Sequence, residues 1–452
     1  MAHSPLSTDV APTAVSFRDA LLYWLKLGFI SFGGPAGQIA VMHQELVERR
    51  RWISEKRFLH ALNYCMVLPG PEAQQLATYI GWLMHGTWGG IIAGALFVLP
   101  SLFILIALSW IYMLWGNTPL VAGVLYGIKP AVTAIVLFAA WRIGSRALRN
   151  ETLWAISAAA FIAIYFFNLP FPTIVLAAGV IGFVGGRIAP QKFSTGGGHA
   201  DPKTDYGPAL IDDHTPTPAH TLFRWGGLTL VIAAGIILWL ITLSGIVILQ
   251  GWDSTLRDMG WFFTKAALLT FGGAYAVLPY VVQGAVQHFQ WLTPVQMIDG
   301  LALGETTPGP LIMVVAFVGF VGAWTHAVFG ADSSVLAGIA GALVATWFTF
   351  LPSFVFIFTG APIIETTHRQ PRLTAPLTGI TAAVVGVIAN LAVFFALHVF
   401  WPEGFHGHPE WPAMFIAAGA IVALFRYKAG IIPVIGVCGA AGLAVHAVRL
   451  LL

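Results

Sequence analysis

The stretch KLGFISFGGPAGQ, Lys26 to Gln38, occurs a second time as KAALLTFGGAYAV, Lys265 to Val277. The register between the two copies persists. Lys26 pairs with Lys265, Phe32-Gly33-Gly34 with Phe271-Gly272-Gly273, Trp52 with Trp291, and Pro69-Gly70-Pro71 with Pro308-Gly309-Pro310. After a 13-residue insertion in the second copy, Leu99-Pro100-Ser101 meets Leu351-Pro352-Ser353 and Gly127-Ile128 meets Gly379-Ile380. Glycine and proline recur by chance in apolar sequence. A shared lysine, a shared tryptophan and two three-residue motifs in one register argue for duplication instead.

The medium is set by composition. Of 452 residues, 58% are hydrophobic and 9% charged, whereas a soluble domain carries about 25% charged residues. Residues 88–115, 226–249 and 373–400 contain no Asp, Glu, Lys or Arg, and each exceeds the ~20 residues that cross a bilayer as a helix. The apolar runs are continuous rather than alternating, which makes strands a poor alternative. An all-α polytopic membrane protein is expected. Residues 1–16 form a polar tail without the basic-then-apolar pattern of a cleaved signal peptide. Cys65 and Cys438 are far apart in apolar segments and suggest neither a disulfide framework nor a metal site.

The expected organisation is a first repeat over 17–186, a polar linker over 187–224, a connecting transmembrane helix over 225–250 and a second repeat over 256–452. The linker carries Gly196-Gly197-Gly198 and four aspartates and reads as flexible and aqueous. The connecting helix has no counterpart before the first repeat, and one extra crossing would invert the second. Basic residues, which favour cytoplasmic loops, support inversion. Arg49, Arg50, Arg51, Lys56 and Arg57, then Arg142, Arg146 and Arg149, align with no Lys or Arg in the second half. Arg369, Arg372, Arg426 and Lys428 conversely align with uncharged turns of the first half. The resulting path has two homologous halves of inverted topology, the N-terminus and linker in the cytoplasm and the C-terminus outside. Crossings are expected at about 88–115, 119–141, 152–168, 171–186, 226–249, 334–360, 373–400, 411–425 and 429–447.

The repeated motifs interrupt apolar segments. Two prolines flanking a glycine cannot continue a helix, and in a bilayer the freed backbone groups must face protein or a watery cavity. Broken, re-entrant half-helices meeting near the membrane interior are therefore expected. Their N-terminal amides and positive dipole ends suit an anion, at the repeat interface typical of secondary transporters. Candidate binding residues are Lys26, Phe32, Gly33, Gly34, Gln38, Pro69, Gly70, Pro71 and Gln74 in the first half. In the second they are Lys265, Phe271, Gly272, Gly273, Thr307, Pro308, Gly309 and Pro310. A pair of lysines approaching one cavity would suit a dianion; both could equally snorkel to the interface. Ser31, Asn63, Gln75, Thr270 and Thr306 add polar groups near the breaks, each explicable as an interhelical hydrogen bond. Glu72 and Glu305 are candidates for coupling transport to protons; Glu72, in the first turn of a helix, also meets the dipole favourably, whereas Glu305, at the end of its half-helix, does not. Lys129, followed by Pro130 inside a helix and aligned with Thr381, is open between a one-sided role and a kink. No HExxH pair, acid cluster or nucleophile with a neighbouring base points to an enzyme. No cofactor, metal or nucleic-acid partner is expected, and a homodimer is left open.

With the FGGP segment running to Gln38, the basic loop ending in Trp52, PGP followed by Gln74, Gln75 and Gly81, and TPGP followed by Gly319 and Gly322, the sequence resembles the chromate ion transporter family in its long two-domain form. The resemblance implies an inner-membrane protein that exports chromate from the cytoplasm and confers chromate resistance, with halves of opposite orientation. Ala274 stands where the first half has Pro35, so the halves need not treat substrate alike. The residues by themselves reach a small oxyanion and stop, because sulfate and chromate share charge and shape. A carrier for sulfate or another oxyanion and a passive anion channel are the competing readings.

Overall fold

Four helix starts, two in each half, are written in hydroxyl residues. The computed structural model describes residues 14–32, 34–193, 206–212, 215, 219–367 and 374–451. Ser16 Oγ accepts from Asp19 N at the start of α1 (Phe17–Ile30), and Ser54 Oγ from Arg57 N at the start of α3 (Glu55–Cys65). Ser254 does the same for α10 (Thr255–Leu269), and Thr293 with Gln296 closes a reciprocal capping box on α12 (Pro294–Thr306). Such caps satisfy amides that the first helical turn leaves without acceptors.

Between these lie α2 (Gly34–His43), which runs on as a π-helical turn Gln44–Arg49, and its repeat partner α11 (Ala274–Val282), followed by the π-helical turn Gln283–His288. In both halves the chain then returns towards the preceding helix. Trp52 packs edge-on to Tyr23 of α1 with ring centroids 5.3 Å apart, and Trp291 packs on Phe262 of α10 at 5.5 Å. These aligned contacts close two short helical hairpins of the same design.

The expected crossings appear as α4 (Glu72–Trp115), α5 (Pro119–Ala147), α6 (Glu151–Phe167) and α7 (Phe171–Ile188), then α9 (Trp225–Gln250) after a short α8 (Pro190–Phe193). The second half follows with α13 (Val314–Thr325), α14 (Ser334–Thr367), α15 (Thr374–Phe400), α16 (Trp411–Phe425) and α17 (Ile431–Leu451). Seven of the described helices are long and apolar enough to span a bilayer, while α6 and α16 are shorter apolar helices. α9 makes the medium plain. It contains no charged residue, yet Gly235 is its one buried position, a surface suited to lipid. The chain is a multi-pass, all-helical membrane protein.

The 44-residue α4 is not a rod. His85 and Gly86 leave helical geometry, Gly86 with φ +65°, and the chain folds back on itself. A Cβ on Gly89 would lie 2.3 Å from the Gly81 carbonyl oxygen, and one on Gly94 2.8 Å from Gln74 Nε2. Residues eight and twenty apart on a straight helix would stand about 12 and 30 Å apart. The second half makes the same hairpin from two separate helices, α13 and α14, with Gly319 and Gly341 in the same close contact. The second-half insertion supplies the turn between them.

One expectation changes. The described parts of the 187–224 linker are docked rather than free. Leu210 N and Ile211 N donate to the carbonyls of Arg51 and Trp52, and Ser54 N donates to Ile211 O, at 2.9–3.0 Å. Thr221 is fully buried and His220 Nε2 lies 2.9 Å from Trp82 O. An extended segment beside a loop with free backbone groups pairs with it, as buried amides and carbonyls must. Gly196 to Gly198, Asp201, Asp205, Arg369 and Arg372 lie outside the described residues.

Candidate functional site: the junction of the broken helices

Each half breaks twice. α1 gives way to α2 through Ser31-Phe32, and α10 to α11 through Thr270-Phe271-Gly272-Gly273. α3 gives way to α4, and α12 to the short turn Leu311–Met313 ahead of α13, through the two Pro-Gly-Pro motifs. The breaks hold one another reciprocally. Gly70 N donates to Thr270 O and Gly309 N donates to Ser31 O, each at 2.7 Å. Ser31 and Thr270 are aligned residues, as are Gly70 and Gly309. Each Pro-Gly-Pro glycine is therefore tied to the first break of the opposite half.

The same reciprocity governs packing. A Cβ on Gly70 would lie 2.5 Å from Ser353 Oγ, and one on Gly309 would lie 2.8 Å from Ser101 Cβ. Ser101 and Ser353 are again aligned. Both glycines have positive φ, +130° and +106°, a conformation that side-chain-bearing residues resist. Glycine is required on two counts.

Three helical segments begin at this junction. α4 starts behind Pro71, α11 behind Gly273 and the Leu311–Met313 turn behind Pro310, and none carries a side-chain cap. They converge. The Cβ position of Gly273 is 4.0 Å from both Glu72 Oε1 and Pro35 Cγ, which brings the starts of α2, α4 and α11 together. Uncapped, buried helix starts leave amide donors and positive dipole ends directed at one place.

Side chains complete the junction. Gln38 Nε2 donates to Gly309 O at 2.6 Å, Gln75 Nε2 to Pro69 O at 2.8 Å and Gln74 Nε2 to Thr78 Oγ1 at 3.0 Å. Gln74 Oε1, Gln75 Oε1, Ser31 Oγ and Ser353 Oγ are buried without a protein hydrogen-bond partner. Thr307 is buried and donates to Leu303 O. Phe32, Phe271 and Pro69 are half-buried, and Pro71, Pro308 and Pro310 are buried around the two glycines. Glu72 is half-buried at the start of α4; Glu305, also half-buried, accepts from Tyr275 Oη at 2.6 Å. Gly34 has φ +70° and open space where a Cβ would be. Gly33 lies outside the described residues.

Lys26 and Lys265 are not among these groups. Both are exposed, away from the buried stripes of α1 and α10, and Lys265 Nζ stands 6.0 Å from the Trp261 ring centroid. Their repeat equivalence is kept, but on the outer faces of the two helices. A long, flexible ammonium carrier beside lipid reaches its headgroups or water more cheaply than the protein interior.

The sequence model of the chromate transporter family matches residues 18–183 and again residues 257–443. The chain belongs to the chromate transporter family. It is 32% identical over 440 residues to the chromate transport protein of Pseudomonas aeruginosa, covering 96% of this chain and 94% of that one. It is 29% identical over 391 residues to the chromate transport protein of Cupriavidus metallidurans, covering 86% and 85%. No solved structure matches it. This chromate transporter relative thus presents its family's paired motifs as a single interlocked junction.

Two buried ionic clusters in this chromate transporter family member escaped sequence reasoning. Glu365 on α14, 3% exposed, receives Arg57 Nη1 at 2.6 Å and the Tyr79 hydroxyl. Asp299 on α12, 2% exposed, receives the Tyr112 hydroxyl at 3.0 Å, with Lys129 Nζ 3.5 Å away. Each cluster joins the first half to the second. The available signal was a lone acid inside an apolar helix, which is expensive in a bilayer and so functional by default. Among the described residues no group of three or more His, Cys, Asp and Glu is arranged for a metal ion.

Proposed function

We propose that this protein exports chromate from the cytoplasm as a secondary active carrier and binds the oxyanion at the junction of its broken helices. The observation that carries the reading is the set of helix starts. Those behind Pro71, Gly273 and Pro310 are buried, carry no side-chain cap and meet, with Glu72 Oε1 and Pro35 Cγ each 4.0 Å from the Cβ position of Gly273. A tetrahedral anion would take the place of the missing caps, receiving backbone amides and the hydroxyls of Ser31 and Ser353. Gln38 and Gln75 hold the backbone around it, and Gln74 is held by the Thr78 hydroxyl. The family's two curated relatives described above, both named chromate transport proteins, favour chromate over sulfate as cargo.

Glu72 and Glu305 are the coupling residues of this proposal. An ionised Glu72 beside the uncapped helix starts competes with the oxyanion for the same donors; a protonated one yields them. Reciprocal ties between the halves, together with the uncharged connecting helix α9, fit two repeats of inverted topology, with the N-terminus in the cytoplasm and the C-terminus outside a bacterial inner membrane.

Labelled chromate uptake into inside-out membrane vesicles, with and without a proton gradient and with excess sulfate as competitor, tests the reading. Accumulation that needs the gradient and survives sulfate is expected. Equal flux without a gradient would make the protein a passive channel, and abolition by sulfate would replace its cargo.

A further inference from the structure

Asp299 has no part in the junction, yet it is a buried carboxylate between the halves. Its two oxygens are unequally served. Oδ2 accepts from Tyr112, while Oδ1 is buried with Lys129 Nζ at 3.5 Å, the outer limit of hydrogen bonding, and with no closer donor. Glu365 provides the internal comparison. Both its oxygens are taken, one by the Arg57 guanidinium and one by the Tyr79 hydroxyl. A guanidinium stays charged and holds its fork rigidly, whereas an ammonium is mobile and a poorly coordinated carboxylate keeps a free lone pair. Glu365 is therefore built as a fixed tie. Asp299 is built to accept something on Oδ1.

The surroundings limit what that is. α12 packs against α4, α5, α13, α15 and α17. Of the ionisable side chains on these elements, Tyr126 and Arg449 are bonded to Glu410, Tyr79 to Glu365 and His85 to the Val15 carbonyl, and Glu72 sits at the junction. Among the described residues, the side chains within bonding distance of the Asp299 carboxylate are Tyr112 and Lys129. With one carboxylate, one phenol and one ammonium there is no ligand set for a metal cation. A proton fits.

We propose that Asp299, paired with Lys129, is a proton-binding site that couples the gradient to anion movement. The proposal rests on the carrier reading above and adds a second proton site, on α12, to the coupling carboxylates Glu72 and Glu305. The proton binds Oδ1, Lys129 keeps its own, and the ion pair that ties α12 to α5 becomes a neutral acid beside a cation. α12 is the lever. It carries Glu305 six residues beyond Asp299, about 9 Å along the axis, and ends on the Pro308-Gly309-Pro310 break. Losing the ion pair frees α12 from α5 and loosens that break; restoring it on proton release resets the helix.

Purified protein in proteoliposomes separates coupling from carriage. Asp299→Asn is expected to lose pH-gradient-driven chromate accumulation about tenfold or more, while exchange of internal for external chromate without a gradient stays within about twofold of wild type. Asp299→Asn combined with Lys129→Met removes the stranded cation and is expected to behave the same. Gradient-driven accumulation by Asp299→Asn at the wild-type level would overturn the proposal. So would its recovery in the double variant, or loss of exchange in both variants, either of which makes the pair structural. Absence of chromate exchange by the wild-type protein is a different result, and sinks the carrier reading itself.

Discussion

At the residue scale the two Pro-Gly-Pro glycines are the least replaceable positions. Gly309→Ala forces a Cβ to within 2.8 Å of Ser101 Cβ at φ +106°, and Gly70→Ala to within 2.5 Å of Ser353 Oγ at φ +130°. Each is expected to cost about 1–3 kcal/mol in backbone strain, with steric displacement of the junction in addition. Chromate uptake should be lost and the Tm in detergent lowered. Gly34→Ala serves as the control: its φ is +70° but nothing lies within 4 Å of the added carbon, so only the ~1–2 kcal/mol of the left-handed backbone applies. Uptake by Gly34→Ala should exceed that of Gly309→Ala; the reverse order would contradict the packing argument. The exposed lysines lead to a second expectation. Lys26→Ala and Lys265→Ala should leave the KM for chromate within about twofold, whereas Gln38→Leu, which strands the Gly309 carbonyl, should cost about 1–3 kcal/mol of stability. Thermal unfolding and uptake kinetics on the three variants decide between a lysine site and a backbone site.

At the element scale the halves are held by clusters that no local pattern encodes. Glu365→Ala leaves Arg57 buried without a counter-charge and is expected to destabilise the protein by about 3–5 kcal/mol. Replacing both partners, Arg57→Met with Glu365→Leu, should recover most of the loss, because two apolar side chains need no desolvation. Urea or thermal denaturation in detergent checks both. A double variant as unstable as Glu365→Ala would assign the effect to Tyr79 instead, whose hydroxyl would still lack its acceptor. The half-helices themselves were readable. Glycine and proline crowd the apolar runs at Gly34-Pro35 and Pro69-Gly70-Pro71, and the structure ends α1 at Ile30 and α3 at Cys65, just ahead of them. The fold-back of α4 at Gly86 was less so. It follows from the glycine face at Gly81, Gly89, Gly90 and Gly94, which lets two helix segments touch, and small residues at a helix interface look the same whether the chain is straight or bent.

At the scale of the whole molecule the expected membrane path places the docked linker and the C-terminus on opposite faces. A reporter that fluoresces only in the cytoplasm should be bright when inserted at residue 215 and dark when fused after Leu452, and a reporter active only outside should give the converse. Equal signals from both positions would remove the inverted topology while leaving the reciprocal junction standing.

Sequence alone determined the medium, the duplication and the positions of the breaks, because hydropathy, repeated motifs and the chemistry of proline and glycine are local properties. The alignment of Ser31 with Thr270 and Gly70 with Gly309 was visible too, but not that each glycine would bond to the other half. Which groups share the interior was decided only by tertiary structure. Lys26 and Lys265 occupy equivalent places in two apolar helices, yet the helix faces turn them outward. Asp299 and Glu365 stand far from Lys129 and Arg57 in the chain, and packing brings them together. A helix face is set by what packs against it, and a buried charge is tolerated only where a distant partner arrives, so neither could be read one segment at a time.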